Sequence, residues 1–143
     1  MKVVLDTNVW ISALLWGGVP DQVINLAEIG QINIAASEPL LNELVTTLGY
    51  AKLQPRLQLL RTTVEALVLS VRQLVEPYPI TFLTVASLRD PDDTIVLATA
   101  VSGSADVIIT GDRDLLTLVQ FSEIPIMTSQ AFLNRYFPTL GES

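Results

Sequence analysis

Lys2-Val3-Val4-Leu5-Asp6-Thr7-Asn8 and Val107-Ile108-Ile109-Thr110-Gly111-Asp112 share one construction: a short unbroken aliphatic run that ends in an acid among small polar side chains. A run with no polar alternation suits a strand covered on both faces, as parallel strands flanked by helices are. Asp6 and Asp112 then emerge at the carboxyl ends of buried strands, the edge where open α/β sheets place their ligands.

Outward from these two stretches, short β-type runs alternate with helical patterns along the whole chain. Strands are predicted at 2–5, 31–35, 106–110 and 125–127, with an edge piece at 82–85. Helices are predicted at 9–15, 21–29, 38–48, 55–75, 91–102, 113–118 and 129–135. The alternation implies an α/β fold, a three-layer α/β/α sandwich around a central, mainly parallel sheet. No repeat, linker or low-complexity tract divides it, so residues 1–143 read as a single domain. The longest predicted helix carries Leu57, Leu60, Val64, Leu67, Val71 and Leu74 at alternating spacings of three and four. That stripe packs a helix on a sheet. Leu59, Val68, Leu69 and Val75 fall partly off it, which leaves apolar surface for a second subunit or a protein partner.

Composition narrows the chemistry. The 143 residues are 50% hydrophobic and include neither cysteine nor histidine. Disulfides, thiol catalysis, imidazole bases and zinc sites built on thiolate or imidazole are therefore excluded. Oxygen ligands remain, and these suit hard cations such as Mg²⁺, Mn²⁺ or Ca²⁺. No apolar run approaches the roughly 20 residues that span a bilayer, and the acid at position 6 comes too early for the apolar core of a signal peptide. A soluble cytoplasmic protein, not a membrane one, is expected. The net charge is −7, although Lys52, Arg56, Arg61 and Arg72 between residues 44 and 75 face only one acid, Glu65. A basic segment beside an acidic, cation-filled cleft would still guide a phosphate backbone.

Four carboxylates stand out: Asp6, Glu43, Asp93 and Asp112. Asp6 could simply cap the next helix, but capping does not require the matching acid after a second strand. Asn8 and Ser12 would orient it. Glu43 lies about one and a half turns into a helix that Ser37 caps and Pro39 opens; taken alone it is an ordinary surface glutamate. Arg89-Asp90-Pro91-Asp92-Asp93 is a well-formed helix start with Asp90 at the N-cap. Asp93, at the third helical position, turns back towards the strand ends. In Thr110-Gly111-Asp112-Arg113-Asp114 the glycine would let the chain turn sharply, Thr110 could bond an acid, and Asp114 is the reserve for Asp112. Like charges crowd together at a cost that a bound cation offsets.

Together these pieces resemble the PIN domain, the fold of metal-dependent ribonucleases that includes the VapC-type toxins of bacterial toxin–antitoxin pairs. The matching parts are Asp6-Thr7-Asn8 with Ser12-Ala13-Leu14-Leu15, Glu43 within its Ser-Glu-Pro-Leu-Leu-Asn-Glu-Leu run, Asp90 to Ala100, and Thr110-Gly-Asp-Arg-Asp-Leu-Leu. The turn Trp16-Gly17-Gly18-Val19-Pro20 resembles a subgroup of toxin components. The resemblance implies that Asp6, Glu43, Asp93 and Asp112 are catalytic and hold one or two Mg²⁺ or Mn²⁺ ions, with Thr110 the hydroxyl beside the fourth acid. It implies hydrolysis of RNA to a 5′-phosphate and a 3′-hydroxyl, a small antitoxin partner encoded by a neighbouring gene, and a homodimer. Lys52 and Arg56 are the candidate RNA contacts. Two alternatives stand beside it: a haloacid-dehalogenase-like phosphatase, suggested by Thr-Gly-Asp-Arg-Asp but short of a second acid because position 8 is Asn, and an inactive scaffold that binds a partner.

Overall fold

In the computed structural model, which describes residues 1–81 and 91–141, sixteen helical and strand segments follow one another with strands and helices interleaved. The strands are β1 (Lys2–Leu5), β2 (Asn33–Ala36), β3 (Val75–Pro77), β4 (Val107–Ile109), β5 (Gln120–Phe121) and β6 (Ile124–Met127). The α-helices are α1 (Thr7–Trp16), α2 (Gly18–Glu28), α3 (Glu38–Leu48), α4 (Gln54–Leu59), α5 (Val64–Leu74), α6 (Pro91–Ser102), α7 (Arg113–Leu118), α8 (Ser129–Tyr136) and α9 (Pro138–Gly141). A single 3₁₀ turn over Ala51–Leu53 precedes α4.

The six strands form one sheet in the order β3-β2-β1-β4-β6-β5, parallel except for β5, which pairs antiparallel with β6. Val3, Val4 and Leu5, Ile34, Ala35 and Ala36, and Val107, Ile108 and Ile109 have no exposed surface at all. This is why their sequence is unbroken apolar: helices cover both faces, in three layers. Buried side chains from Val3 to Leu133 belong to one contiguous core cluster.

Because the strands run parallel, their carboxyl ends share an edge, and the residue that leaves each strand there is polar. Asp6 follows β1, Ser37 follows β2 and Thr128 follows β6, and each caps the helix it enters by accepting a backbone N–H. From β1 the chain adds β2 and β3 on one side and then crosses to place β4 on the other, so the crevice of a topological switch point opens beside Asp6.

The structure corrects the predicted helix at 55–75. It is two helices, α4 and α5, separated by a break at 60–63 in which Arg61 takes a left-handed conformation with φ 55°. Thr63 caps the second by accepting the N–H of Ala66. The stripe residues therefore diverge: Leu57 and Val71 are buried, whereas Leu60 is exposed. Of the off-stripe set, Val68 and Val75 enter the core and Leu59 and Leu69 stay in solvent. The end of the predicted helix becomes β3, an edge strand on β2. The edge piece at 82–85 and the Asp90 cap lie outside the described residues. Gly17 and Gly18, with φ near 73° and 72°, make the turn between α1 and α2 that side chains would resist. Gly111 does not: it is absent from the positive-φ glycines, and a Cβ there would meet nothing within 4 Å.

Candidate active site

At the carboxyl edge, Asp6, Glu43, Asp93 and Asp112 border one small cavity of about 40 Å³, together with Thr7, Asn8, Asp92 and Val96. Four elements deliver the acids: the end of β1, the second turn of α3, the first turn of α6, and the loop between β4 and α7. A volume of this size admits a few water-sized occupants and nothing larger.

Asp6 is 5% exposed. Its Oδ1 accepts the N–H of Val9 at 3.0 Å, and its Oδ2 accepts the hydroxyl of Thr110. The Thr110 oxygen in turn accepts the N–H of Asp112 at 3.0 Å. This relay fixes the Asp6 carboxyl and ties it to the loop that carries Asp112. Burial pushes the Asp6 pKa above its ordinary value; the hydrogen bonds from Thr110 and Val9 oppose that, and the nearby Asp112 charge adds to it. Asp112 caps α7 through the N–H of Asp114 at 2.7 Å.

Asp93 is 6% exposed, while its neighbour Asp92 is exposed at the rim. The helical turn separates the two acids, and only Asp93 enters the core side of the cavity. Carboxylate oxygens of Asp93, Asp112 and Asp114 lie within 4.8 Å of one another. Asp114 thus sits in the tightest acid group, with Asp6 and Glu43 on the adjoining walls. Glu43 is half-buried and also opens onto a second groove, lined by Asn42, Thr46, Thr47 and Tyr50 along α3. The helices that carry Glu43 and Asp93 are joined at depth by a 2.8 Å hydrogen bond between the hydroxyls of Ser37 and Thr99.

Two residues that line the cavity were not among the site residues chosen from the sequence. Thr7 is 4% exposed, lines the acid cavity, and its Oγ1 has no hydrogen-bond partner. A buried hydroxyl in that state calls for a water or an ion. Asp92 rims the same cavity. The only sequence signal for either was adjacency to a chosen acid. An all-oxygen donor set, crowded acids, a water-sized cavity and a buried hydroxyl fit a hard divalent cation.

The other predicted residues lie outside the lining of the acid cavity. Ser12 lies one turn beyond Asn8 on a neighbouring cavity, and the hydrogen bonds that hold Asp6 come from Val9, Asn8 backbone and Thr110 instead. Arg56 donates from Nε to the carbonyl of Leu15 at 2.7 Å and lies over the Trp16 ring, so it closes the carboxyl end of α1. Arg72 makes a two-pronged pair with Glu38 at 2.7 and 3.0 Å. Lys52 is exposed, with its ammonium 5.9 Å from the Tyr50 ring centre.

An open parallel sheet whose carboxyl edge gathers acids from β1, α3, α6 and α7 defines a class: α/β proteins with a carboxylate centre suited to divalent cations. The PIN domain family matches this chain over residues 2–114, and the chain belongs to that family. PIN domains are generally nucleases, and membership removes the ground for the phosphatase alternative. An uncharacterized protein of Methanocaldococcus jannaschii is 33% identical over 125 residues, spanning 82% of this chain and 75% of the relative. Among solved structures, the crystal structure of VapBC2 from Rickettsia felis bound to a DNA fragment from their promoter contains a chain of the same fold. The match has a TM-score of 0.59 at 14% identity and covers 88% of this chain and 97% of that one. No helix among the described residues is long and apolar enough to cross a membrane.

Proposed function

We propose that this protein is a ribonuclease that hydrolyses phosphodiester bonds with one or two Mg²⁺ or Mn²⁺ ions, and that it serves as the toxin of a toxin–antitoxin pair. The observation that carries the reading is the convergence of Asp6, Glu43, Asp93 and Asp112 around one water-sized cavity, with an Asp114 oxygen within 4.8 Å of those of Asp93 and Asp112. Asp93, Asp112 and Asp114 would hold the cation, with Asp6 and Glu43 completing the site. A divalent ion held there would lower the pKa of water towards neutrality and offset charge on the phosphate.

The chain's own contribution is placement. Asp6 cannot swing away while Val9 and Thr110 hold its two oxygens. Asp112 is locked by its cap on α7. Asp93 sits in the first turn of α6, where the helix dipole favours a negative charge. Glu43, half-buried on α3, borders the same cavity and would complete the site from that side. Preorganised acids of this kind spend no energy on rearrangement when the phosphate arrives.

The same reading takes residues 1–143 as one cytoplasmic PIN-like domain. It includes a small antitoxin partner and a homodimer. Val45 and Leu69, both exposed, border a groove between α3 and α5 that supports a protein partner on that face. The VapBC2 neighbour supports it by analogy.

The test is cleavage of single-stranded RNA with Mn²⁺, mapping the ends as 5′-phosphate and 3′-hydroxyl. Asp93→Asn should lower kcat by at least about a hundredfold; full activity in that variant, or in EDTA, refutes the reading. Independently of turnover, Mn²⁺ at ten times its dissociation constant should add about 1.4 kcal/mol and raise Tm by roughly 4 °C. An unchanged melting curve would count against the site itself.

A further inference from the structure

Asn8 and Thr110 each have a second neighbour besides the acids. Beyond them opens a larger cavity of about 270 Å³ between α1, the start of α2 and the amino end of α8, with Ser12, Val19, Pro20 and Gln130 on its walls. We propose that it is a base-binding subsite, which holds one unstacked nucleobase next to the phosphodiester that the acids engage. The proposal rests on the ribonuclease reading and names what that site selects.

Position comes first. The two cavities share Asn8 in their linings, so the larger one adjoins the acids on this side. Chemistry comes next. None of the lining residues is charged, so nothing there recognises a second phosphate, and the acids next door repel one. A nucleobase has the complementary character: two apolar faces and a rim of donors and acceptors. Val9, Val19 and Pro20 offer surface for the faces, whereas Asn8 and Ser12, both exposed on α1, and the exposed Gln130 offer polar groups for the rim. Size agrees, since the cavity falls just below the roughly 300–1,000 Å³ that houses whole drug-sized ligands. Single-stranded RNA is read in this way, by bases splayed out and bonded along their edges. The groove on the Glu43 and Asp92 side, which runs to Tyr50, leaves the strand an exit, so selection should fall on one flank of the cleaved bond only.

The experiment uses the full chain and RNA oligonucleotides with a single cleavable bond, all four bases being placed in turn on each flank. Wild type should prefer one base on one flank by roughly tenfold in kcat/KM, the scale of a pocket that reads polar edges loosely. Ser12→Phe fills the cavity from an exposed position. It should compress the preference to below about threefold and raise KM, while the Mn²⁺-induced rise in Tm persists as proof of folding and of an intact acid site. In parallel, the four nucleoside 5′-monophosphates are titrated into ¹⁵N-labelled protein without metal. The preferred one should give saturable shifts at the Ser12, Gly111 and Gln130 amides that Ser12→Phe abolishes. RNA cleaved without preference on either flank, or a preference that survives Ser12→Phe, overturns the subsite and leaves the nuclease standing. Nucleotide-induced shifts in a protein that cleaves no RNA support the subsite and overturn the nuclease. Absence of shifts from all four overturns the subsite.

Discussion

Asp6 does two jobs that pull against each other. It caps α1, which favours folding, and it is almost fully removed from water, which penalises its charge. Its pKa is raised from an ordinary value near 3.8, chiefly by that burial. Between the ordinary value and the raised one, the folded chain keeps a proton that the unfolded chain has released. Stability therefore falls as pH rises through that window and stays lowered above it. Asp6→Asn keeps the neutral shape at every pH. In metal-free buffer it should melt above wild type at pH 8, with the gap closing as pH falls towards the carboxylate range, and it should lose most of the Mn²⁺-induced shift. A variant that melts below wild type across the whole range would show that capping outweighs burial. Asp6, Asp93 and Asp112 were legible in the sequence because each follows an apolar run or sits in the first turn of a helix, whereas Glu43 stood out only in their company. The choice between Asp112 and Asp114 stayed open there, because the approach of Asp114 to Asp93 depends on how α7 meets α6 in space. The place of Arg56 was not legible, since its bond to Leu15 spans 41 residues.

At the scale of elements, the hairpin between β5 and β6 holds stored strain. Phe121 pairs with Ile124, and both residues between them, Ser122 and Glu123, have positive φ of 48° and 67°. A two-residue connection of this hand favours Asn-Gly, and each ordinary side chain there costs about 1 kcal/mol. The double change Ser122→Asn and Glu123→Gly should raise Tm by roughly 3–6 °C; differential scanning calorimetry showing no rise would mean the turn is already relaxed. Helix α3 was predicted to the residue, since Ser37, Pro39 and the spacing of its leucines agree with one another. The break before α5 was not, because the three-and-four spacing of Leu57, Leu60, Val64 and Leu67 runs across it. Thr62-Thr63 ahead of Val64-Glu65 was the cue, a capping residue inside what periodicity alone joined. The tiny β5 has no signature of its own, being two residues held by their partner strand.

For the molecule as a whole, charge is the feature hardest to square with the proposed polyanionic substrate. The net value is −7, and Arg56 and Arg72 are engaged with Leu15 and Glu38. With one or two lysine or arginine contacts to the strand, log Kd against log salt should have a slope of only about −0.7 to −1.4. Fluorescence anisotropy of a labelled RNA between 50 and 300 mM KCl measures it, and a slope steeper than about −4 would reveal a basic surface beyond these residues. On the proposed function, affinity would then come from the cation and from contacts to bases. Parallel topology and core position were readable from the unbroken strands; the place of each cation was not, since long side chains choose partners only after the helices have docked. The shared wall at Asn8 has a pharmacological consequence. If both proposed sites hold, metal chelation and ring recognition would stand one side chain apart, so a compact inhibitor could join a carboxylate-rich or hydroxamate head to a flat heterocycle by a very short tether. Selectivity among related enzymes would then reside in the ring, because the head answers to the ion alone.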